Sequence, residues 1–166
     1  MKILSIDPGY ERLGIAILSV EPRKTNLLYS DCFKTSAKLP HHKRLAMIGE
    51  EIARIIEEWR PDTLATEEIF FNKNIKTVLL VSQALGVVIY EATQAGLKVF
   101  QYSPLEVKIA VSGYGRATKD QVIAMVPKLV SVTKKITHDD EFDAIAIGLT
   151  HSASYKTNVA RNPLST

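Results

Sequence analysis

The first part of the chain carries three apolar runs that are separated by polar, turn-forming residues. The runs are KILSI, GIAILSV and NLLYSDCF, at residues 2–6, 14–20 and 26–33. Each has the length and the Ile, Leu and Val content of a strand, and the first connection contains Asp-Pro-Gly, which is typical of a turn. Because the connections are short, we predict that these strands form an antiparallel meander.

The rest of the chain alternates helical and strand patterns. Apolar residues recur every three or four positions between His42 and Trp59, which predicts a helix that ends before Pro61. A longer helix is predicted over residues 77–95, with Gly96 as the residue that stops it. The second helix is apolar around more than one face, so we expect it to lie centrally or to contact a partner chain.

Two further strands and three further helices complete the pattern. The strands are predicted at residues 62–70 and 97–102, and two helices begin after the N-cap candidates Ser103 and Thr118. The last helix is predicted over residues 137–155, with acidic residues in its first turn. Strands mixed with helical connections predict an α/β fold, a five-stranded mixed sheet flanked by helices.

Length and composition fit one intracellular domain. The chain has 166 residues, 46% of them hydrophobic, which is enough for one core. Cys32 is the single cysteine, so no disulfide can form within the chain, and we expect a reducing cytoplasm. No signal peptide and no run of 18 apolar residues is visible, so we expect no membrane segment. The net charge of +3 does not by itself indicate nucleic-acid binding.

Six carboxylates stand at the ends of apolar elements, where an unpaired charge is costly. Asp7 also fits a turn that begins at Asp-Pro-Gly, the glutamates also fit a solvated strand end, and the aspartates also fit a helix cap. The six residues are Asp7, Glu67, Glu68, Asp139, Asp140 and Asp143.

Side-chain direction limits which of these carboxylates can meet. Neighbouring strand residues point to opposite faces, so only one of Glu67 and Glu68 can share a site with Asp7. On a helix, Asp143 lies on the same face as either Asp139 or Asp140. Four such hard oxygen ligands would suit Mg²⁺ or Mn²⁺, and two of these ions commonly serve displacement at phosphorus.

Several separated motifs resemble the RuvC family of Holliday-junction resolvases, which have a ribonuclease H-like fold. The motifs are ILSIDPGYERLG, TEEIFFNKN, SPLEVKIAVSGYGRATKDQV and DDEFDAIAIGLTH, and they span about residues 2–152. Their number and order make the resemblance more specific than one short pattern. It implies a nuclease domain over residues 1–153, and we expect residues 154–166 to form a flexible tail.

The resemblance also implies roles for individual residues. The family's four metal-binding carboxylates match Asp7, Glu67, Asp140 and Asp143, although His138 and Asp139 lie close enough for an alternative register. Basic and aromatic residues around them are implied to contact DNA, with Phe70 as the residue that stacks or wedges at the junction and two lysines near the scissile phosphate. The implied substrate-binding residues are Phe70, Lys73, Lys76, Lys108, Arg116 and Lys119.

The function implied by the resemblance is the resolution of four-way DNA junctions by paired symmetric nicks that leave 5′-phosphate and 3′-hydroxyl ends. It further implies two Mg²⁺ or Mn²⁺ ions per site, a homodimer and a branch-migration complex of the RuvA and RuvB type as a partner. The alternatives are a ribonuclease H-like enzyme acting on RNA–DNA hybrids and a junction-binding module that does not cleave.

Overall fold

The computed structural model of the protein describes residues 1–22, 24–69 and 75–158. The strands in these residues are β1 (Lys2–Asp7), β2 (Arg12–Val20), β3 (Thr25–Lys34), β4 (Thr63–Glu67) and β5 (Lys98–Tyr102). The helices are α1 (His41–Trp59), α2 (Ile75–Gln94), α3 (Pro104–Ser112), α4 (Lys119–Leu129) and α5 (Asp139–Asn158). The order of elements expected from the sequence is confirmed.

The strands form one sheet in the order β3-β2-β1-β4-β5. The first three strands pair antiparallel, as their short connections predicted, whereas β4 pairs parallel to β1 and β5 pairs parallel to β4. The predicted five-stranded mixed sheet is therefore confirmed. Because β1 and β4 are parallel neighbours, their carboxyl ends, with Asp7 and Glu67, lie at the same edge of the sheet.

Helices cover both faces of the sheet, and the alternation of strand side chains produces two separate cores. Ile3 and Ala65 point to the face covered by α3, α4 and α5, whereas Leu4 and Leu64 point to the face covered by α1 and α2. All four residues are fully buried. The helix α5 passes close to the sheet, since a Cβ atom added to Gly148 would overlap the side chains of Leu18 and Ser5.

Two element ends differ from those expected. The strand β4 ends at Glu67 instead of reaching residue 70, because its partner β5 ends opposite at Tyr102 and Glu68 N–H donates to the Tyr102 carbonyl oxygen at 2.8 Å. The helix α5 runs to Asn158, three residues beyond the helix end predicted at residue 155. Tyr155, the last residue of the predicted helix, packs its ring edge-on against His151 at 5.7 Å.

The predicted caps of α3 and α4 are present. The Ser103 hydroxyl accepts from Glu106 N–H and the Thr118 hydroxyl accepts from Gln121 N–H, each at 3.3 Å. In both helices the third residue bonds back to the cap, which completes a capping box. These caps fix the first residues of α3, which carries Lys108, and of α4, which carries Lys119.

The helix α2 is the one helix in the described ranges that is long and apolar enough, by length and composition, to cross a membrane. No membrane segment was expected here from the sequence, since polar residues interrupt the apolar run of this helix. Val88 and Ala92 are fully buried against the sheet, whereas Leu79 is 54% exposed. The helix therefore carries apolar surface on its outer side as well as in the core.

Candidate active site

Three elements bring carboxylates together at one edge of the sheet. Asp7 ends β1, Glu67 ends the neighbouring β4, and α5 begins at Asp139. Gly14 allows the approach of α5, because it pairs with Asp7 across β1 and β2 and a Cβ atom there would overlap the Asp140 carbonyl oxygen. The same Cβ atom would lie 3.1 Å from Asp7 Cβ. Absence of a side chain at position 14 thus permits the first turn of α5 to lie beside Asp7.

The carboxylate at the centre of this edge is strongly perturbed. Burial raises the pKa of Asp7 well above its usual range, and the nearby negative charges of Asp143, Glu67 and Asp140 raise it further. The positive charge of Lys119 acts in the opposite direction. A buried carboxyl surrounded by three others is unfavourable without a cation, and a divalent ion would relieve both effects.

Glu67 and Asp143 share the perturbation. Burial raises the pKa of Glu67, and Asp143 raises it further, while the positive charges of Lys119 and Lys108 lower it. Burial also raises the pKa of Asp143, and its hydrogen bond with Lys119 partly offsets this. Perturbed carboxyls that affect one another's pKa at one edge of the fold are typical of functional sites.

The neighbouring glutamates are separated as the strand pattern predicted. Glu67 lines the cleft beside Asp143, whereas Glu68 lines a different groove together with Ser82 and Leu85 of α2. The alternation of side chains along β4 therefore places Glu67, and not Glu68, with Asp7.

Lys119 pairs with two aspartates of α5. Its ammonium Nζ lies 2.6 Å from Asp139 Oδ2 and 2.7 Å from Asp143 Oδ2. The hydrogen bond from Lys119 lowers the pKa of Asp139. Asp139 is thus the more exposed of the two aspartates that pair with Lys119, with 45% of its side chain accessible against 27% for Asp143.

Asp140 has a different set of neighbours, which sequence reasoning did not identify. Arg12 Nε lies 3.2 Å from Asp140 Oδ2, and the Cys32 thiol donates a long contact of 3.9 Å to the same oxygen. Cys32, His138 and Asp140 have potential ligand atoms within 4.8 Å of one another. Burial raises the pKa of Cys32 to about 11, so the thiol is protonated near neutral pH.

The position of Arg12 could have been found from the hairpin register. Asp7 lies opposite Gly14, so a residue two positions before Gly14 extends past the end of β1 toward the carboxylates. The contact of Cys32 with Asp140 had no comparable signal, because it depends on where α5 crosses β3.

Next to the carboxylates is an open cleft of about 220 Å³. Its polar lining combines two acids with two lysines, and its apolar lining comes from α3, α4 and α5. The lining residues are Glu67, Pro104, Val107, Lys108, Lys119, Val122, Asp143 and Ile147. Cations and carboxylates that line one cleft could together hold a phosphate and a metal ion.

The other predicted DNA-contacting residues are more scattered. Arg116 is exposed in the loop between α3 and α4, and Lys76 is exposed in the first turn of α2. Phe70 and Lys73 lie outside the described residues. His151, to which no role was assigned, is a buried core residue whose Nδ1 lies 2.6 Å from the Tyr102 hydroxyl, and burial lowers its pKa to about 4.

Comparison with known proteins identifies the family. The family model described as "Crossover junction endodeoxyribonuclease RuvC" matches residues 3–151. The chain belongs to the RuvC family. A RuvC from Moorella thermoacetica is 44% identical over 153 residues, covering 92% of this chain and 92% of the relative. A RuvC from Halothermothrix orenii is 41% identical over 158 residues, covering 95% and 96% of the two chains.

A solved RuvC structure has the same fold. Thermus thermophilus RuvC in complex with a Holliday junction substrate superposes with a TM-score of 0.88 at 32% identity, covering 99% of each chain. The ribonuclease H-like class expected from the motifs is confirmed by this match and by the sheet described above.

Proposed function

We propose that this chain is a crossover junction endodeoxyribonuclease that resolves four-way DNA junctions by paired symmetric nicks during homologous recombination and DNA repair. Its RuvC relatives carry that enzyme name, and a structural relative was solved with a Holliday junction substrate. The observation that carries the proposal for this chain is the half-buried Asp7 at one edge of the sheet, whose pKa is raised by desolvation and by the nearby charges of Asp143, Glu67 and Asp140.

We propose Asp7, Glu67, Asp140 and Asp143 as the catalytic, metal-binding residues. Their oxygen atoms are the ligands that Mg²⁺ and Mn²⁺ prefer, and the charge they concentrate fits a site for two such ions. Asp140 would exchange its contact with Arg12 for a metal, and Asp143 would exchange its contact with Lys119. Glu68 is left out because it faces another groove, and Asp139 is left out because it is the more exposed of the two partners of Lys119.

In the proposed mechanism, the divalent ions supply positive charge that activates water and stabilises the charge developing on the phosphate. Lys119 and Lys108 lie in the same cleft and add fixed positive charge beside the reacting phosphate. The chemistry breaks a phosphodiester bond and leaves 5′-phosphate and 3′-hydroxyl ends.

The proposal includes further DNA-binding residues besides the lysines of the cleft. Lys76 and Arg116 are exposed cations that would contact phosphates, which positions the duplex arms without reading sequence. Phe70 and Lys73 keep their proposed roles on the strength of the motif alone. The predicted contacts are electrostatic, so junction affinity should fall steeply as salt concentration rises.

We further propose a homodimer formed through α2, because a substrate with two equivalent strands requires two active sites. The apolar surface of α2 that includes the 54% exposed Leu79 supports this assignment. A RuvA and RuvB type branch-migration complex and a cytoplasmic location complete the proposal. Residues 1–153 would form the nuclease domain and 154–166 the tail, with the end of α5 continuing into it.

A cleavage assay distinguishes this function from its two alternatives. The purified protein with Mg²⁺ is given a four-way junction, a plain duplex and an RNA–DNA hybrid of the same sequence. We expect paired nicks in the junction and little cleavage of the other two substrates. Preferential cleavage of the hybrid would indicate a ribonuclease H-like activity, and tight junction binding without cleavage would indicate a binding module.

A further inference from the structure

Three large apolar side chains are exposed on α3 and on the loop that follows it. Leu105 is 56% exposed, Ile109 is 51% exposed and Tyr114 is 58% exposed. Single exposed apolar residues are ordinary on a protein surface, but these three come from ten consecutive residues. We call Leu105, Ile109 and Tyr114 the α3 patch.

The two helical members of the α3 patch, Leu105 and Ile109, form one continuous surface. Leu105 and Ile109 are four residues apart on α3 and so lie on the same face. Both also approach Gly115, where an added Cβ atom would lie 2.7 Å from Leu105 Cδ1 and 3.4 Å from Ile109 Cγ1. The loop after α3 is therefore folded back on the two helical residues, and Tyr114 precedes the glycine that permits this approach.

The backbone on both sides of Tyr114 is held in place. Gly113 ends α3 with a φ of 73°, a conformation that glycine adopts at no steric cost. Tyr114 N–H donates to the Ser112 hydroxyl at 3.3 Å, and Ala117 N–H donates to the Tyr114 carbonyl oxygen at 3.0 Å. The Ser112 hydroxyl in turn donates to the Lys108 carbonyl oxygen at 2.7 Å. The ring of Tyr114 thus extends to solvent from a preorganised loop.

The α3 patch borders the active-site cleft. Lys108, which lines the cleft and acts on the pKa of Glu67, lies between Leu105 and Ile109 in the sequence of α3. The exposed Arg116 follows Tyr114 by two residues, and Lys119 follows Arg116 by three residues. An apolar surface interleaved with cations beside a phosphate-binding cleft matches the chemistry of a nucleic-acid strand, which offers phosphates on one side and bases on the other.

We propose that the α3 patch receives the DNA strand that lies in the active-site cleft, with its sugars against Leu105 and Ile109 and an unpaired base stacked on the Tyr114 ring. The cations would hold the phosphates of the same strand. This inference rests on the proposed function and adds the residues that position the strand beside the cut. A four-way junction offers such a base because base pairs at its crossover open more readily than those in a continuous duplex.

The test measures binding and base stacking separately from cleavage. Junctions carry the fluorescent base 2-aminopurine at successive positions on either side of the cut and are titrated with protein in EDTA. We expect fluorescence quenching at one or two neighbouring positions for the wild type and for Tyr114→Phe, and loss of that quenching for Tyr114→Ala. Junction binding by Tyr114→Ala should weaken by about five- to a hundredfold, the range that loss of one stacked base gives.

Salt dependence separates the patch from the cations around it. Tyr114→Ala and Leu105→Ser should weaken binding without changing the slope of log affinity against log salt concentration, because neither side chain contacts a phosphate. Lys108→Ala should lower that slope by about one. Leu129→Ser removes a 45% exposed leucine of α4 and serves as the matched control, with wild-type affinity expected.

Two results would overturn the inference. The first is wild-type junction affinity and wild-type quenching in Tyr114→Ala. The second is a change of oligomeric state in Tyr114→Ala or Leu105→Ser, by sedimentation, with DNA binding intact, because the patch would then contact a protein. Cleavage of the junction by the wild type is scored independently, so failure of the proposed function is recognised apart from failure of the patch.

Discussion

The Lys119 ammonium lies 2.7 Å from the Asp143 carboxylate, at the edge of the sheet where β1 and β4 end. This pair connects the start of α4 to the N-terminal part of α5, and the same ammonium also contacts Asp139. In the absence of a divalent ion, Lys119 is therefore a cation that offsets part of the carboxylate repulsion, and it is already placed in the cleft where a phosphate would lie.

Removing the lysine charge should slow cleavage. Lys119→Ala and Lys108→Ala are each expected to lower the single-turnover rate on a four-way junction by tenfold or more, because both ammonium groups face the cleft. Glu68→Ala removes an exposed charge that faces another groove, and it should cleave at close to the wild-type rate. Equal rates in all three variants would show that the cleft lysines do not act on the reaction.

The two neighbouring glutamates provide a stringent test of the carboxylate assignment. Glu67→Gln should abolish cleavage while junction binding persists, because the amide preserves the shape of the side chain but loses its charge. Glu68→Gln is one residue away and should cleave normally, since its side chain is on the opposite side of β4. Asp7→Asn, Asp140→Asn and Asp143→Asn should behave like Glu67→Gln in a gel assay of binding and nicking. The reverse order of the two glutamine variants would refute the assignment.

Asp7 should make the metal-free protein less stable as the pH rises. Its pKa is raised in the folded protein, so on titration from low pH the unfolded chain loses its proton first. The stability contributed by the protonated carboxyl is complete below the pKa of the unfolded state and is lost as the pH rises through the higher pKa of the folded state. Asp7→Asn should therefore unfold at a higher temperature than the wild type in EDTA at pH 8, with the difference shrinking toward pH 4.

Adding Mg²⁺ to the thermal unfolding of the wild type and Asp7→Asn tests whether the carboxylates bind a divalent ion. Mg²⁺ should raise the unfolding temperature of the wild type at pH 8, because it binds the folded site, and should raise that of Asp7→Asn much less. Thermal scans with and without the ion measure both effects. If Asp7→Asn is less stable than the wild type in EDTA at pH 8, then the Asp7 carboxylate does not destabilise the metal-free protein at that pH.

Local patterns were sufficient for most of the fold, whereas the proposed site residues came from the family motifs. The short turns predicted the antiparallel meander, and the caps at Ser103 and Thr118 depend on residues within three positions of each other. The choice between Glu67 and Glu68 could not be made from local pattern, because it depends on which face of β4 the helix α5 covers. Contacts such as Cys32 with Asp140 join residues more than a hundred positions apart, and chain spacing alone carries no signal for them.

The proposed dimer should depend on the outer surface of α2. Leu79→Glu places a charge on a residue that is 54% exposed, so the fold should persist while the apolar contact between two copies is disrupted. We expect a dimer for the wild type and a monomer for the variant by sedimentation at micromolar concentration. Leu80→Glu, one residue along and partly buried, should act in the same direction, and Leu129→Glu on α4 is the control that should remain dimeric. A wild type that is monomeric both alone and on a junction would remove the basis for paired nicks.

Two glycines allow close approach of α5 to the sheet, and they should have different consequences for the site. Gly14 lies against the backbone of Asp140 and the Cβ of Asp7, whereas Gly148 lies farther along α5 against the side chains of Leu18 and Ser5. Adding a methyl group at either position overfills a packed interface, so Gly14→Ala and Gly148→Ala should each lower the free energy of unfolding by about 1–3 kcal/mol. Urea denaturation in EDTA measures this loss.

Metal affinity should separate the two variants. Gly14→Ala forces the first turn of α5 away from β1, which moves Asp140 relative to Asp7, so Mn²⁺ affinity measured by calorimetry should fall by about tenfold or more. Gly148→Ala disturbs the helix two turns further along and should bind Mn²⁺ with nearly wild-type affinity despite its lower stability. If both variants lose affinity in proportion to stability, the glycine at 14 has no specific role in placing the carboxylates. If Gly14→Ala binds the ion as the wild type does, the close approach of α5 at that residue is not what assembles the site.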